Sequence, residues 1–322
     1  MALLQIIVRW VQILASILLA ALFLFEPVIV APFVRKPAKT VQPLFLSLCR
    51  LNRRVAWWTW SIVQISWIVW LWLITASMSG EDLIACISSD ALGTVLFSTQ
   101  FGHIWLMRLA IGMVFGISFW MLERTSRRRS VLAASLAWFS AIELVSLAWS
   151  GHAVAHPGPY GAVHLLGDAL HLLTSAFWPG ALAPLAAFFL LLLKSNHFEA
   201  IALAAPVVRR FSASSLIAVA VMASTGLLNS IFMVGSVRAL LTSTYGQLLV
   251  SKLILFFAMV GFGAWNLFLL KPRIAIALPT VNVAQQKSVV RFLLRNVLWE
   301  VGLGTVVILI VGLLGITPPP MR

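Results

Sequence analysis

Apolar residues run almost unbroken through eight stretches of the chain, near residues 10–33, 55–78, 102–122, 131–150, 162–193, 211–235, 249–270 and 296–316. About 20 apolar residues cross the hydrocarbon core of a bilayer as an α-helix, which satisfies its own backbone where no water can. The pattern therefore predicts an all-α bundle of eight transmembrane helices. The fifth stretch is longer than one crossing needs. Pro179 within it removes the donor that would reach the Ser175 carbonyl, so a bend is expected there. The first stretch has no A-x-A site after it and carries its flanking charge behind it, which reads as a retained helix rather than a cleaved leader.

Composition agrees and closes other classes. Of 322 residues, 61% are hydrophobic and 10% charged, against roughly 25% charged in soluble domains. The mean hydropathy of +1.01 excludes a soluble enzyme, a nucleic-acid-binding domain and a disordered chain. The net charge of +14 is explained by where the cations fall. The first, third, fifth and seventh connections hold 18 of the 23 Lys and Arg residues, against Arg9, Arg238 and Arg322 on the other side. By the positive-inside rule the odd connections are cytoplasmic and both termini periplasmic. No nucleic-acid partner is needed; the partner of most of this surface is membrane lipid. Cys49 and Cys86 fall on opposite sides and cannot pair. The segment 80–98, with Glu81, Asp82 and Asp90, reads as an amphipathic helix on the outer surface.

An internal echo divides the chain. Thr99-Gln100-Phe101-Gly102 leads to Arg108, and 144 residues later Ser243-Thr244-Tyr245-Gly246 leads to Lys252. In both, an aromatic-Gly pair opens a helix and a cation follows six residues after the glycine. This predicts a parallel 4+4 repeat, with a half at 1–150 and a half at 151–322.

Ionisable groups inside a bilayer are expensive and mark function by default. Here they are Glu26, Arg108, Glu143, Asp168, Lys252 and Glu300. Arg108 and Lys252 lie near outer helix ends, where they can snorkel or pair with a carboxylate such as Glu143. Glu26 and Glu300 lie in the inner half, as one end of a path or as hydrogen-bond glue between helices.

The densest cluster is at the outer end of helices 4 and 5: Glu143, then His152, His156, His164, Asp168 and His171. His164, Asp168 and His171 fall on one stripe of a helix, and Trp178 continues it one step deeper. Imidazole suits copper, zinc, iron and nickel. His152 and His156 at the mouth, with His164 and His171 below, form a graded entry for a metal ion, with Asp168 as a ligand or as the group orienting a ring. Met78, Met107 and Met233 offer softer donors but are expected to be packing. The same histidines also suit axial ligation of a b-type haem. His103 and His197 are expected to serve helix ends. Among catalytic signatures, no triad motif, Walker loop, dinucleotide fingerprint or HExxH occurs, so the chain is not read as an enzyme or a nucleotide-driven pump.

Several stretches together resemble the CopD family of bacterial copper-resistance membrane proteins. They are Asp168-Ala-Leu-His171-Leu-Leu through Phe177-Trp178-Pro-Gly180, Arg210-Phe211-Ser212 into Thr225-Gly226-Leu227, Thr244-Tyr245-Gly246 with Lys252, Gly312 to Pro319, and Ser150-Gly151-His152-Ala153. The resemblance is strongest over 150–320. Two departures stand out: Pro179 where the family has an aliphatic residue, and the lack of an Arg after Asn266. The resemblance implies an inner-membrane protein of copper homeostasis, working with a periplasmic CopC-type copper-binding protein. The expected function is copper transport through the His/Asp site of helix 5, with Glu143, Trp178, Glu26 and Glu300 along the path or compensating charge. The alternatives are a haem b electron conduit that reduces cupric ion outside, and a non-transporting anchor for a copper-binding partner.

Overall fold

The computed structural model describes residues 1–34, 41–88, 90–124, 129–150, 158–266 and 282–320. Among these, eight helices are long and apolar enough to cross a membrane. They are α1 (Ala2–Phe33), α2 (Gln42–Ser79), α3 (Gln100–Arg124), α4 (Val131–Ser150), α5 (Gly158–Lys194), α6 (Phe198–Val234), α7 (Thr244–Trp265) and α8 (Val283–Leu314). No strand occurs among the described residues. The all-α, eight-span expectation therefore holds.

Packing fixes which ends meet. Arg9 at the start of α1 donates to Ser150 Oγ and O at the end of α4 (3.4 and 3.3 Å). Trp10 Nε1 donates to Thr305 O near the end of α8 at 3.3 Å. These ends form one face of the bundle, called here the terminal face. At the opposite, basic face, Arg210 of α6 donates to Val28 O of α1, and Lys287 Nζ of α8 donates to Asn196 Oδ1 beyond α5 at 2.9 Å. Of the cations used above to set orientation, Arg35, Lys36, Lys39, Arg127, Arg128, Lys271, Arg273 and Arg322 lie outside the described residues.

α1 and α5 are the central helices: 61% of the apolar window of each is buried, against 11–44% for the other six. A helix that is apolar all round must be surrounded by protein or lipid, and here the other helices supply the cover. The largest core cluster joins Phe25 of α1, Trp178, Leu182, Phe188 and Phe189 of α5, and Val290 and Leu293 of α8. A second, aromatic cluster ties α1, α2 and α3, with Trp57 stacked on Phe119 at 4.5 Å.

α5 breaks where Pro179 stands, into Gly158–Phe177 and Leu182–Lys194. The Ser175 carbonyl, deprived of its donor by the proline ring, accepts instead from Gly180 N–H at 2.8 Å. α1 carries its own irregularity, a π-helical turn at Glu26–Val30 that contains Pro27.

The segment between α2 and α3 folds as two short helices, Ala85–Ser88 and Ala91–Ser98. The second packs with Trp67, Trp70 and Trp105 through Leu92, Val95 and Leu96, and before the first Trp72 Nε1 donates to Leu83 O at 2.7 Å. Neither cysteine is in a disulfide; Cys49 sits near the basic end of α2 and Cys86 in the 85–88 turn.

The two echoed stretches build the same turn. Thr99 Oγ1 accepts from Gly102 N–H, and Ser243 Oγ accepts from Gly246 N–H, each at 3.0 Å. A side chain at Gly102 would strike the carbonyls of Val95 and Leu96, and one at Gly246 those of Ala239 and Leu240. Glycine lets each long helix sit directly on the short helix before it.

Candidate functional site

Near the terminal face a cavity of about 190 Å³ lies between α1, α4, α5, α6, α7 and α8. His164, Asp168 and His171 all line it, as the helical stripe of α5 requires. Arg9, Asn229, Tyr245, Lys252 and Met233 complete its polar and soft wall.

Each α5 side chain is held by a neighbour. Asp168 Oδ1 accepts from Asn229 Nδ2 at 2.5 Å, and Lys252 is the charge that acts on it. His171 Nδ1 lies 3.0 Å from Thr225 Oγ1. The Thr225 hydroxyl gives its one proton to Val221 O at 2.8 Å, so toward the imidazole it accepts. In the tautomer with the proton on Nδ1, the lone pair of neutral His171 is on Nε2. An oxygen partner on one ring nitrogen, fixing the tautomer and freeing the other, is the usual arrangement around metal-binding imidazole. The ring also packs along Gly226, where a Cβ would lie in van der Waals contact, 3.4 Å from His171 Cε1. His164 is buried and stacks on Phe232, ring centroids 4.8 Å apart.

The other expected site residues divide. Among the described residues no three His, Cys, Asp or Glu side chains come together in a group that could hold a metal ion. His152 and His156 lie outside the described residues. Met233 is buried on the cavity wall, whereas Met78 and Met107 are exposed by 59% and 48%. Trp178 is buried at the α5 break, edge-on to Phe256 at 5.7 Å. Glu300 Oε1 accepts from Asn266 Nδ2, whose Oδ1 accepts from Asn296 Nδ2, each at 2.8 Å, which ties α7 to α8. Glu26 lines a separate crevice on the basic side.

Glu143 belongs to a second polar cluster, between α1, α2, α3 and α4. Its Oε1 accepts from Gln64 Nε2 at 2.9 Å. Arg108 is fully buried rather than snorkelling, lies over Trp67, and is coupled to Glu143. None of its three side-chain nitrogens has a hydrogen-bond partner among the described residues, and the same holds for Gln12 Nε2 and Oε1, Ser16 Oγ and Glu143 Oε2. Counting from the Arg9–Ser150 contact down antiparallel helices puts Gln12 and Ser16 of α1 close to the level of Glu143. Arg9 joins the two sites, since it lines the cavity and acts electrostatically on Arg108.

Thr225, Asn229, Gln64, Gln12 and Arg9 were not among the expected site residues. Their signal is uncharged polarity inside an apolar helix, weaker than charge but governed by the same cost of burial.

The helices and the buried ionisable groups between them define a polytopic membrane protein with an intramembrane polar site. Residues 1–162 match the family model described as copper resistance protein D-like, N-terminal domain, and residues 205–314 that of copper resistance protein D. The chain is 31% identical over 258 residues to copper resistance protein D of Pseudomonas syringae pv. tomato, covering 78% of each. It is 30% identical over 224 residues to the copper transport protein CutJ of Bacillus subtilis, covering 69% of this chain and 40% of that protein. It is 28% identical over 270 residues to the inner membrane protein YebZ of Escherichia coli, covering 84% of each. No solved structure matches. The chain belongs to the copper resistance protein D family and is a multi-pass protein of the bacterial inner membrane.

Proposed function

We propose that this protein carries copper across the inner membrane and that the ion binds in the cavity beneath the terminal face. The observation that carries the reading is the His171 Nδ1–Thr225 Oγ1 contact, which holds an imidazole on the cavity wall beside Asp168 and His164. His164, Asp168 and the Met233 thioether line the same cavity. Imidazole with thioether is a donor set for cuprous ion. Relatives in this family are named for copper resistance and copper transport, which supports the choice of copper among the metals imidazole binds.

The cavity holds two cations, Arg9 and Lys252, and one carboxylate. An arriving copper ion therefore competes with Lys252 for Asp168. Binding by exchange of one cation for another keeps the site from trapping its cargo. The cavity, at about 190 Å³, suits an ion with a few waters of about 30 Å³ each rather than a macrocycle. His152 and His156 collect the ion at the periplasmic mouth, received from a periplasmic copper-binding protein of the CopC type. With no catalytic constellation in the sequence, the chain acts as a carrier and not as an enzyme.

The test is copper binding and copper entry into vesicles by purified, reconstituted protein, with the absorption spectrum recorded alongside. Wild type should bind and move copper, and His164→Ala/His171→Ala should do neither. Binding and transport undiminished in the double variant would overturn the site. A Soret band that the same variant removes would overturn it in favour of haem.

A further inference from the structure

On the basic half of the bundle a crevice of about 750 Å³ opens between α1, α2 and α4, with α3 and α5 at its edges. Its volume lies in the range of ligand pockets, and like them it is mostly apolar with a few convergent polar groups. Leu22, Phe23, Leu122, Ala137, Ala141 and Phe177 are among its apolar walls. Asn52, Arg53 and Glu26 also line it. Asn52 is 6% exposed, and its Nδ2 has no hydrogen-bond partner among the described residues. A buried amide donor without an acceptor costs about 1–3 kcal/mol, so something that accepts a hydrogen bond belongs beside it.

Depth identifies what that is. Asn52 lies 18 residues before Trp70, the α2 residue that Arg9 covers at the terminal face. At 1.5 Å per residue that is about 27 Å, close to the roughly 30 Å hydrocarbon core, which puts Asn52 at its boundary with the lipid headgroups of the basic face. The alanine face of α4 then leads from Ala133 to Ala141, about 12 Å along the helix toward the bilayer interior. A donor and a guanidinium at headgroup depth, above an apolar slot that enters the hydrocarbon layer, match one amphiphile.

We propose that the crevice is a phospholipid site. Asn52 Nδ2 and the Arg53 guanidinium hold the phosphate, and one acyl chain lies in the slot against Ala137 and Ala141. Glu26 supplies an acceptor for an ammonium, so the polar set favours a zwitterionic headgroup with a primary amine over an anionic one. The α1 segment that carries Glu26 is the π-helical turn that contains Pro27, so an occupant here braces the one irregular stretch of α1. This inference stands apart from the copper site and does not depend on it.

The experiment is native mass spectrometry of protein reconstituted in vesicles of equal phosphatidylethanolamine and phosphatidylglycerol, then extracted in mild detergent. Wild type should retain phosphatidylethanolamine. Ala137→Trp, which fills the slot, should lose it. Arg53→Gln, at a half-buried position that spares the fold, should lower retention about tenfold, the effect of roughly 1.4 kcal/mol. Glu26→Gln should erase the preference for the amine headgroup. Wild type retaining no lipid, retaining phosphatidylglycerol in preference, or keeping phosphatidylethanolamine equally in Arg53→Gln would each overturn the proposal.

Discussion

The guanidinium of Arg108 lies over the ring of Trp67, 3.7 Å from its centroid, at a position with no solvent exposure. In a desolvated setting such a contact is worth about 2 kcal/mol, far less than the cost of an unpaired buried charge. Glu143, held by Gln64, is the opposite charge that acts on it. Taking away one of two opposite buried charges strands the other. Arg108→Met should therefore lower the thermal midpoint in detergent sharply. Arg108→Met/Glu143→Gln should recover most of the loss. A double variant no more stable than the single one would show that the two groups do not compensate each other.

Thr225 carries a different burden. Thr225→Val keeps the shape and deletes the hydroxyl that lies 3.0 Å from His171 Nδ1. Loss of such an orienting partner typically weakens metal affinity about 10–100-fold. Thr225→Ser should retain near-normal binding. Copper titration of the two variants separates orientation from packing.

Lys252 competes with copper for Asp168. Lys252→Met should raise copper affinity, because the carboxylate is then left for the ion, and should slow release so that transport falls. A variant with weaker binding would contradict the exchange.

Protonation sets the sign of the pH response. Imidazolium has no lone pair for a metal, so copper uptake should fall at the pH where the binding imidazoles take up a proton, and should not rise as pH drops. Uptake into vesicles over a pH series below 7.5, with the gradient held constant, checks this. Uptake that rises as pH falls would remove histidine from the path.

The spans were legible because twenty apolar residues in a row leave few other solutions. Their basic ends were not. α2, α6 and α8 begin at Gln42, Phe198 and Val283, each 13 residues before the apolar windows at 55, 211 and 296. Hydropathy stops where Arg50, Arg209 and Arg291 enter, but arginine, leucine and glutamine are good helix formers and the helices continue past the membrane. The break at Pro179 was legible from one residue, because a missing N–H acts locally.

The stripe of His164, Asp168 and His171 was legible from helical spacing. Their partners were not, since Thr225 and Asn229 lie on another helix and no spacing rule reaches across. Arg9 also escaped: at the edge of an apolar window it reads as a flanking charge, yet it is buried against Ser150 and over Trp70.

The interruption of α5 also places two poles deep in the bilayer. A helix accumulates about half a negative charge at its C-terminus and half a positive charge at its N-terminus. Phe177 ends the first half of α5 and Leu182 starts the second, so opposite poles face each other across four residues. A cation leaving His171 along the helix axis is drawn toward Phe177 and repelled at Leu182, with the Trp178 indole packed in between. In the proposed transport, the positive pole at Leu182 disfavours a cation moving straight along α5 and favours a path that turns toward a neighbouring helix.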